Sequence, residues 1–267
     1  MSTLVSISRS LVARTGSPFL VLGTSMLLPA PTSAQTTINT DRPGITYSPV
    51  VMEPGRFQVE LGLPNVTFTR GAGADSELWN VPLLVRYGAT KDLELRLGGT
   101  TWNRLEDHGA TTDGFGDVEL GAKIALVEGG GSTPKTSAVA TVRLPTGDDD
   151  FTSSQAGYSL NIAGDWDIGD GNLLRGLLGA TRTPSGDTNA TTGAIGILFG
   201  HTFDARWSGY VEVGWFPEIE NSVNTAVAGG GAACLLNENT QLDVFADFGL
   251  NSDTPDANLG VGVSFRF

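Results

Sequence analysis

The chain has 267 residues, a formal net charge of −13 and a mean hydropathy near zero. That acidity excludes nucleic acid as a partner, since a polyanion would be repelled. The lone cysteine, Cys234, excludes an intrachain disulfide framework and a cysteine-based zinc cluster. Only 17% of residues are charged and 36 are glycine. No run beyond the first thirty positions repeats apolar residues at i, i+3 and i+4, so an all-β chain is expected.

The N-terminus reads separately. Arg9 and Arg14 precede the apolar "FLVLGTSMLLPA" and then "PTSAQ". A basic region, an apolar core and a small-residue site describe a signal peptide over residues 1–34, cleaved after Ala34. The apolar run is shorter than the ~20 residues of a spanning helix, which is the alternative reading. No cysteine follows it to carry a lipid. Without the leader the chain keeps 14 basic and 29 acidic residues, a net charge of −15.

Residues 35–55 are expected to be irregular. Pro43, Pro49 and Pro54, with Gly44 and Gly55, oppose helix and strand alike. Two uses are open to this stretch: a loose tail, or a segment folded into the interior of the remaining chain. Asp41, Arg42 and Tyr47 are the candidates for a constriction. The two charges could pair with interior charges, and Ile45, Tyr47 and Val50 would sit badly in water.

From Arg56 to Phe267 one pattern repeats: about ten residues of apolar–polar alternation, then a turn. Twelve segments are expected, near 56–69, 77–88, 93–103, 116–127, 136–145, 156–168, 172–183, 190–203, 207–217, 224–236, 240–250 and 257–267. Each reaches or exceeds the ~9–11 residues a tilted strand needs to cross a bilayer, whereas strands of soluble sandwiches run to ~5–6. The connections alternate in length. "GATKD", "GDGN", "DAR" and "NEN" are short, whereas "NRLEDHGATTDGFGD", "PTGDDDFTSSQ" and "PEIENSVN" are long. Of the expected short set only "EGGGSTPK" is extended. Short turns on one rim and long loops on the other mark transmembrane barrels. Lipid cannot hydrogen-bond backbone groups, so such a sheet must close on itself. The fold expected is a closed antiparallel transmembrane β-barrel of about twelve strands. A soluble exported sandwich is the alternative.

Strand parity assigns an inner face. Its acids are Glu60, Glu94, Asp117, Glu119, Asp165, Asp167, Glu212, Asp243 and Asp247, and its bases Arg86, Arg96, Lys123, Arg143, Arg175 and Arg266. Such a mixed lining could select solutes or pair internally and stiffen a wet interior. Trp79, Trp102, Trp207 and Phe267 lie near segment ends, where barrels carry aromatic girdles. Nucleophilic catalysis finds no support. His108 falls in the longest loop, and His201 shares the outward parity of Ile197 and Phe199, so neither suits a triad. The acidic "GDDDF" reads as a solvated loop or a weak cation site bridging lipopolysaccharide. No metal site, cofactor or catalytic residue is assigned.

"TDRPGITYSPVVMEPGRFQVELG" resembles the opening of the family named for the MetA pathway of phenol degradation. The likeness continues in "YGATKDLELRLG", "GFGDVELGAKI", "VRLPTGD", "LNENTQLDVFADFGLN" and "NLGVGVSFRF". The resemblance implies a Gram-negative outer-membrane barrel labelled a transporter, and an association with aromatic compounds through the name alone. It brings no set of functional residues. The expected partners are outer-membrane lipid and lipopolysaccharide and a small-molecule solute. The outer-membrane insertion machinery is also expected, reading the aromatic C-terminus Phe267. The function expected is passage or uptake of small molecules. A non-transporting structural or adhesive barrel is the alternative.

Overall fold

The structure, a computed structural model, describes residues 37–71, 75–153, 155–185, 188–220 and 222–267. The leader read over residues 1–34 lies outside the described residues. Thirteen strands follow in chain order: β1 (Phe57–Thr69), β2 (Ser76–Gly88), β3 (Leu93–Asp107), β4 (Ala110–Gly114), β5 (Val118–Val127), β6 (Lys135–Leu144), β7 (Gly157–Gly169), β8 (Asn172–Ser185), β9 (Thr188–Thr202), β10 (Trp207–Pro217), β11 (Asn224–Asn237), β12 (Thr240–Gly249) and β13 (Ala257–Arg266). All pairings are antiparallel between neighbours, and β1 pairs with both β2 and β13. Twelve strands thereby close into a barrel. Reciprocal backbone bonds between Phe57 and Phe267, at 3.3 and 2.8 Å, complete the seam. Among the described residues no helix is long and apolar enough to cross a membrane.

The thirteenth strand, β4, belongs to no wall position. It pairs only with β3, whose upper half runs on past Asn103. This revises the fifteen-residue loop expected there. His108 and Gly109 both take positive φ, 49° and 80°. Such a pair makes a tight two-residue turn that matches strand twist, so the stretch doubles back as a hairpin. The long "EGGGSTPK" turn also acquires order. Gly130 and Thr133 exchange backbone bonds of 2.9 and 3.1 Å, so its extra residues form a miniature hairpin on the short-turn rim.

Prolines mark the other irregularities. The β1 ladder shifts register between Gly62 and Asn65, and the β2–β3 ladder between Asn80 and Pro82. Pro64 and Pro82 have no N–H to donate, so a bulge is where a strand tolerates them. In β1 the shift exchanges the faces: Gln58 and Glu60 point inward before it, Asn65 and Thr67 after it.

Burial is inverted relative to a soluble protein. Leu178, Val211 and Ile197 are 62%, 61% and 53% exposed, while Arg86, Lys123, Arg175 and Glu94 are fully buried. A continuous apolar outer band of this kind would aggregate in water and needs lipid against it. Trp207 and Phe267, at the short-turn rim, are exposed on the same surface.

Residues 37–52 run inside the barrel and decide what its interior looks like, and exposed residues 54–56 lead out to β1. The segment comes in over the short-turn rim, where the Ile38 N–H donates to the Glu238 carbonyl at 2.7 Å. It climbs to Tyr47, which packs with Val139, Ala163, Leu177, Phe216 and Val227. It then descends past Met52, and the Gly55 N–H donates to the Gly88 carbonyl at 2.8 Å before β1 begins. Wall glycines make its bed. A Cβ at Gly214 would lie 2.3 Å from Ile45 Cδ1, and one at Gly262 would lie 2.4 Å from Arg42 Nε.

Candidate functional site

The site is the lumen at the height of Asp41. β1, β2, β3 and β5 present Glu60, Arg86, Glu94, Arg96 and Lys123 to one volume, because alternate residues of adjacent strands share a face. Arg86 grips Glu94 with two bonds, Nε to Oε1 and Nη2 to Oε2, both 2.8 Å. Its Nη1 donates to Glu60 Oε1 and to the Asn39 carbonyl, both at 2.9 Å. Arg96 Nη1 donates to Glu94 Oε1 at 2.7 Å and also pairs with Asp41.

These five wall residues carry three positive and two negative charges. Asp41, from the threaded segment, supplies the third negative charge. Its carboxylate accepts Lys123 Nζ at 2.9 and 3.0 Å and lies 3.6 Å from Arg86 Nη1. Its own N–H donates to both oxygens of Glu60, at 2.9 and 2.8 Å. Every member's side chain is at least nine-tenths buried. A buried charge without a partner costs several kcal/mol, so the wall is complete only with the segment in place.

Other contacts fix the segment along its length. Arg42 Nη2 donates to Asp243 Oδ1 at 3.1 Å, with the guanidinium 6.0 Å from the Phe245 ring. Gln241 Nε2 donates to Thr40 Oγ1 at 2.9 Å. The Ile45 N–H donates to Glu212 Oε1 at 2.8 Å. Lys123 Nζ reaches the Ser48 carbonyl at 2.8 Å and stands 5.8 Å from the Tyr47 ring. The Met52 N–H returns to Glu94 Oε2 at 3.0 Å.

The remaining parity-assigned residues take different places. Asp165 and Arg175 form a buried two-bond pair at 2.6 and 2.9 Å. Glu119 and Arg143 pair at 2.9 and 3.0 Å, two pleats toward the long-loop rim from Lys123 and apart from the central cluster. Asp117 is buried and serves the loop above it, accepting from the Thr146 and Gly147 N–H groups at 3.0 Å. Arg266 bonds Asn239 and the Thr37 carbonyl at the rim. Asp167 departs from the expected lining. It is exposed and caps the β7–β8 turn, accepting from the Gly169 N–H at 2.9 Å. Parity sets which face a side chain takes but not its height along the barrel.

Sequence reasoning passed over the neutral half of the site. Gln58, Asn161, Ser137 and Gln241 are buried on the same inner face. Their signal was there, since they hold the parity of the charged residues they adjoin.

The family model described as "Putative MetA-pathway of phenol degradation" matches residues 40–267. The chain belongs to this family. The match begins at Thr40, so the family includes the threaded segment from Asp41 onward. Solved structures share the MetA-family chain's fold at low identity. The COG4313 outer membrane channel from Pseudomonas putida F1 is 16% identical, with a TM-score of 0.64 over 81% of this chain and 97% of that one. The NanC porin is 10% identical, with a TM-score of 0.53 over 78% and 98%. The β-domain of the Bordetella autotransporter BrkA is 13% identical, with a TM-score of 0.52 over 79% and 98%. No curated protein matches the sequence. These likenesses establish an outer-membrane-type barrel.

Proposed function

We propose that this protein is a small-molecule channel of a Gram-negative outer membrane, narrowed by its own N-terminal segment. The observation that supports the reading is Asp41. One carboxylate, on a segment outside the wall, completes the charge balance of four strands at a single height. A segment held by ion pairs rather than by a sheet ladder can be released without opening the barrel. The family name favours aromatic compounds as solutes. The mixed polar lining suits small molecules carrying a hydroxyl or carboxylate.

A second reading, a closed structural barrel, draws support from the same buried pairing. It is weakened by the break between the central cluster and Glu119–Arg143, since the paired charges do not run the whole length. Single-channel conductance of the refolded protein separates the two. We expect small unit conductance from the native chain and a several-fold rise on deletion of residues 37–52. Unchanged conductance would mean that the segment does not constrict. A folded but silent barrel in both forms, with no phenol uptake into liposomes, would establish the structural reading.

A further inference from the structure

Above the central cluster, on the opposite wall, two acids stand without a countercharge. Glu212 on β10 is paired in register with Gly229 on β11, and Gly229 with Asp247 on β12. The two carboxylates therefore flank a residue without a side chain, in one row across three strands. Asp247 leans into the gap, with its Oδ1 2.0 Å from where a Cβ on Gly229 would stand. Both acids are buried, at 4% and 2% exposure. Glu212 Oε1 accepts the Ile45 N–H, but Glu212 Oε2 and Asp247 Oδ1 have no hydrogen-bond partner among the described residues. Neither acid forms an ion pair among the described residues. Arg175, in the same row two strands along the wall from Glu212 with Leu198 between them, is bound by Asp165, and Arg42, in the next rows, is bound by Asp243.

A third group lies one row below, beside Glu212. Tyr210 is 6% exposed, and its hydroxyl has no partner among the described residues. A Cβ on Gly44 would lie 3.0 Å from that hydroxyl and 2.6 Å from Glu212 Oε1, so the hydroxyl and the carboxylate stand together against Gly44 of the threaded segment. In the row below, Tyr210 lies over Gly231 and Phe245 over Gly260, their rings filling the space that side chains there would occupy. Val227 and Phe216 close the other side with apolar surface.

We infer that the Glu212–Gly229–Asp247 row is a binding subsite for a small organic ammonium. Two carboxylates accept its N–H groups, the Tyr210 hydroxyl accepts a third, and the aromatic faces suit a cation's alkyl collar. A metal ion fits poorly. Among the described residues no three histidine, cysteine or carboxylate side chains gather in a metal-holding group, and hard cations want six or more oxygens.

The test uses the full refolded chain in detergent, with methylammonium chloride against sodium chloride at equal ionic strength. The readout is the heat-modifiable unfolding midpoint, which rises with ligand that binds only the folded state. We expect methylammonium to raise the midpoint, Asp247→Asn to weaken the concentration dependence about ten-fold, and Glu212→Gln with Asp247→Asn to abolish it. Asp167→Asn, at an exposed rim acid, should leave the rise intact. Equal midpoints in the two salts, or an undiminished rise in Asp247→Asn, would overturn the inference. Should the double variant not fold, the single variant decides.

Discussion

Asp41 joins three wall cations, pairing with Arg86, Arg96 and Lys123. Arg86 has Glu94 and Glu60 to neutralise it, but Lys123 has no other carboxylate among the described ion pairs. Replacing Asp41 by Asn keeps the shape and removes the charge. Breaking a buried pair in this way costs about 3–5 kcal/mol, because the partner is left desolvated and alone. The expected outcome for Asp41→Asn is release of residues 37–52, read as new protease cleavage within them. Lys123→Met in the same chain should restore much of the protection, since the orphaned cation is then gone. A double-mutant cycle measures this coupling directly. Equal cleavage in the native and Asp41→Asn proteins would show that Asp41 does not hold the segment in place.

The β3–β4 hairpin shows how far an element can be detached from the barrel that carries it. β4 has one ladder partner, and its tip depends on left-handed backbone at His108 and Gly109. Gly109→Val places a β-branched side chain at φ 80°, which is expected to cost about 1–2 kcal/mol. The loss should stay local: faster proteolysis near residue 109, with an unchanged heat-modifiable midpoint for the barrel. Across the hairpin, Arg104 Nε and Nη2 donate to Asp113 at 2.9 and 3.1 Å, and those bonds hold the carboxyl below its ordinary range. A carboxyl depressed in the folded state lends stability that is present above the unfolded value and lost as pH falls through the folded one. The tie should therefore persist in mild acid and weaken only below the ordinary aspartate range. Amide exchange at Leu105 and Thr112 reports it.

For the whole molecule, the governing fact is which solvent each face meets. Leu178 points to the outside of β8 and is 62% exposed, whereas its neighbour Leu177 is 4% exposed against Tyr47. Leu178→Arg should destabilise the barrel in bilayers by about 2–4 kcal/mol, the cost of a charge on the lipid face near mid-depth. In a soluble protein an exposed leucine would tolerate the same change within ~0.5 kcal/mol. Denaturant titration in lipid vesicles checks this, and a change below that soluble-protein limit would contradict a lipid-facing surface.

Much of this architecture was legible in the chain. Alternation is a local property, and it placed all twelve wall strands within a few residues of their ends. It also assigned Glu60, Arg86, Glu94, Arg96, Lys123, Asp165 and Arg175 to one face, because a pleated strand turns successive side chains to opposite sides. Turn lengths separated the two rims. The prolines before Arg56 forbade strand pairing there and left the segment needing another place. What that place is depended on the closed barrel. The bulge at Pro64 exchanged faces that alternation alone would have continued, and the positive φ values at His108 and Gly109 turned a loop into a hairpin. Above all, Asp41 meets Lys123 across 82 residues, and Arg42 meets Asp243 across 201. Pairs that distant leave no periodic trace in one sequence; they exist because closure of the sheet brings every inward face around a single axis, where the threaded segment supplies the missing charge.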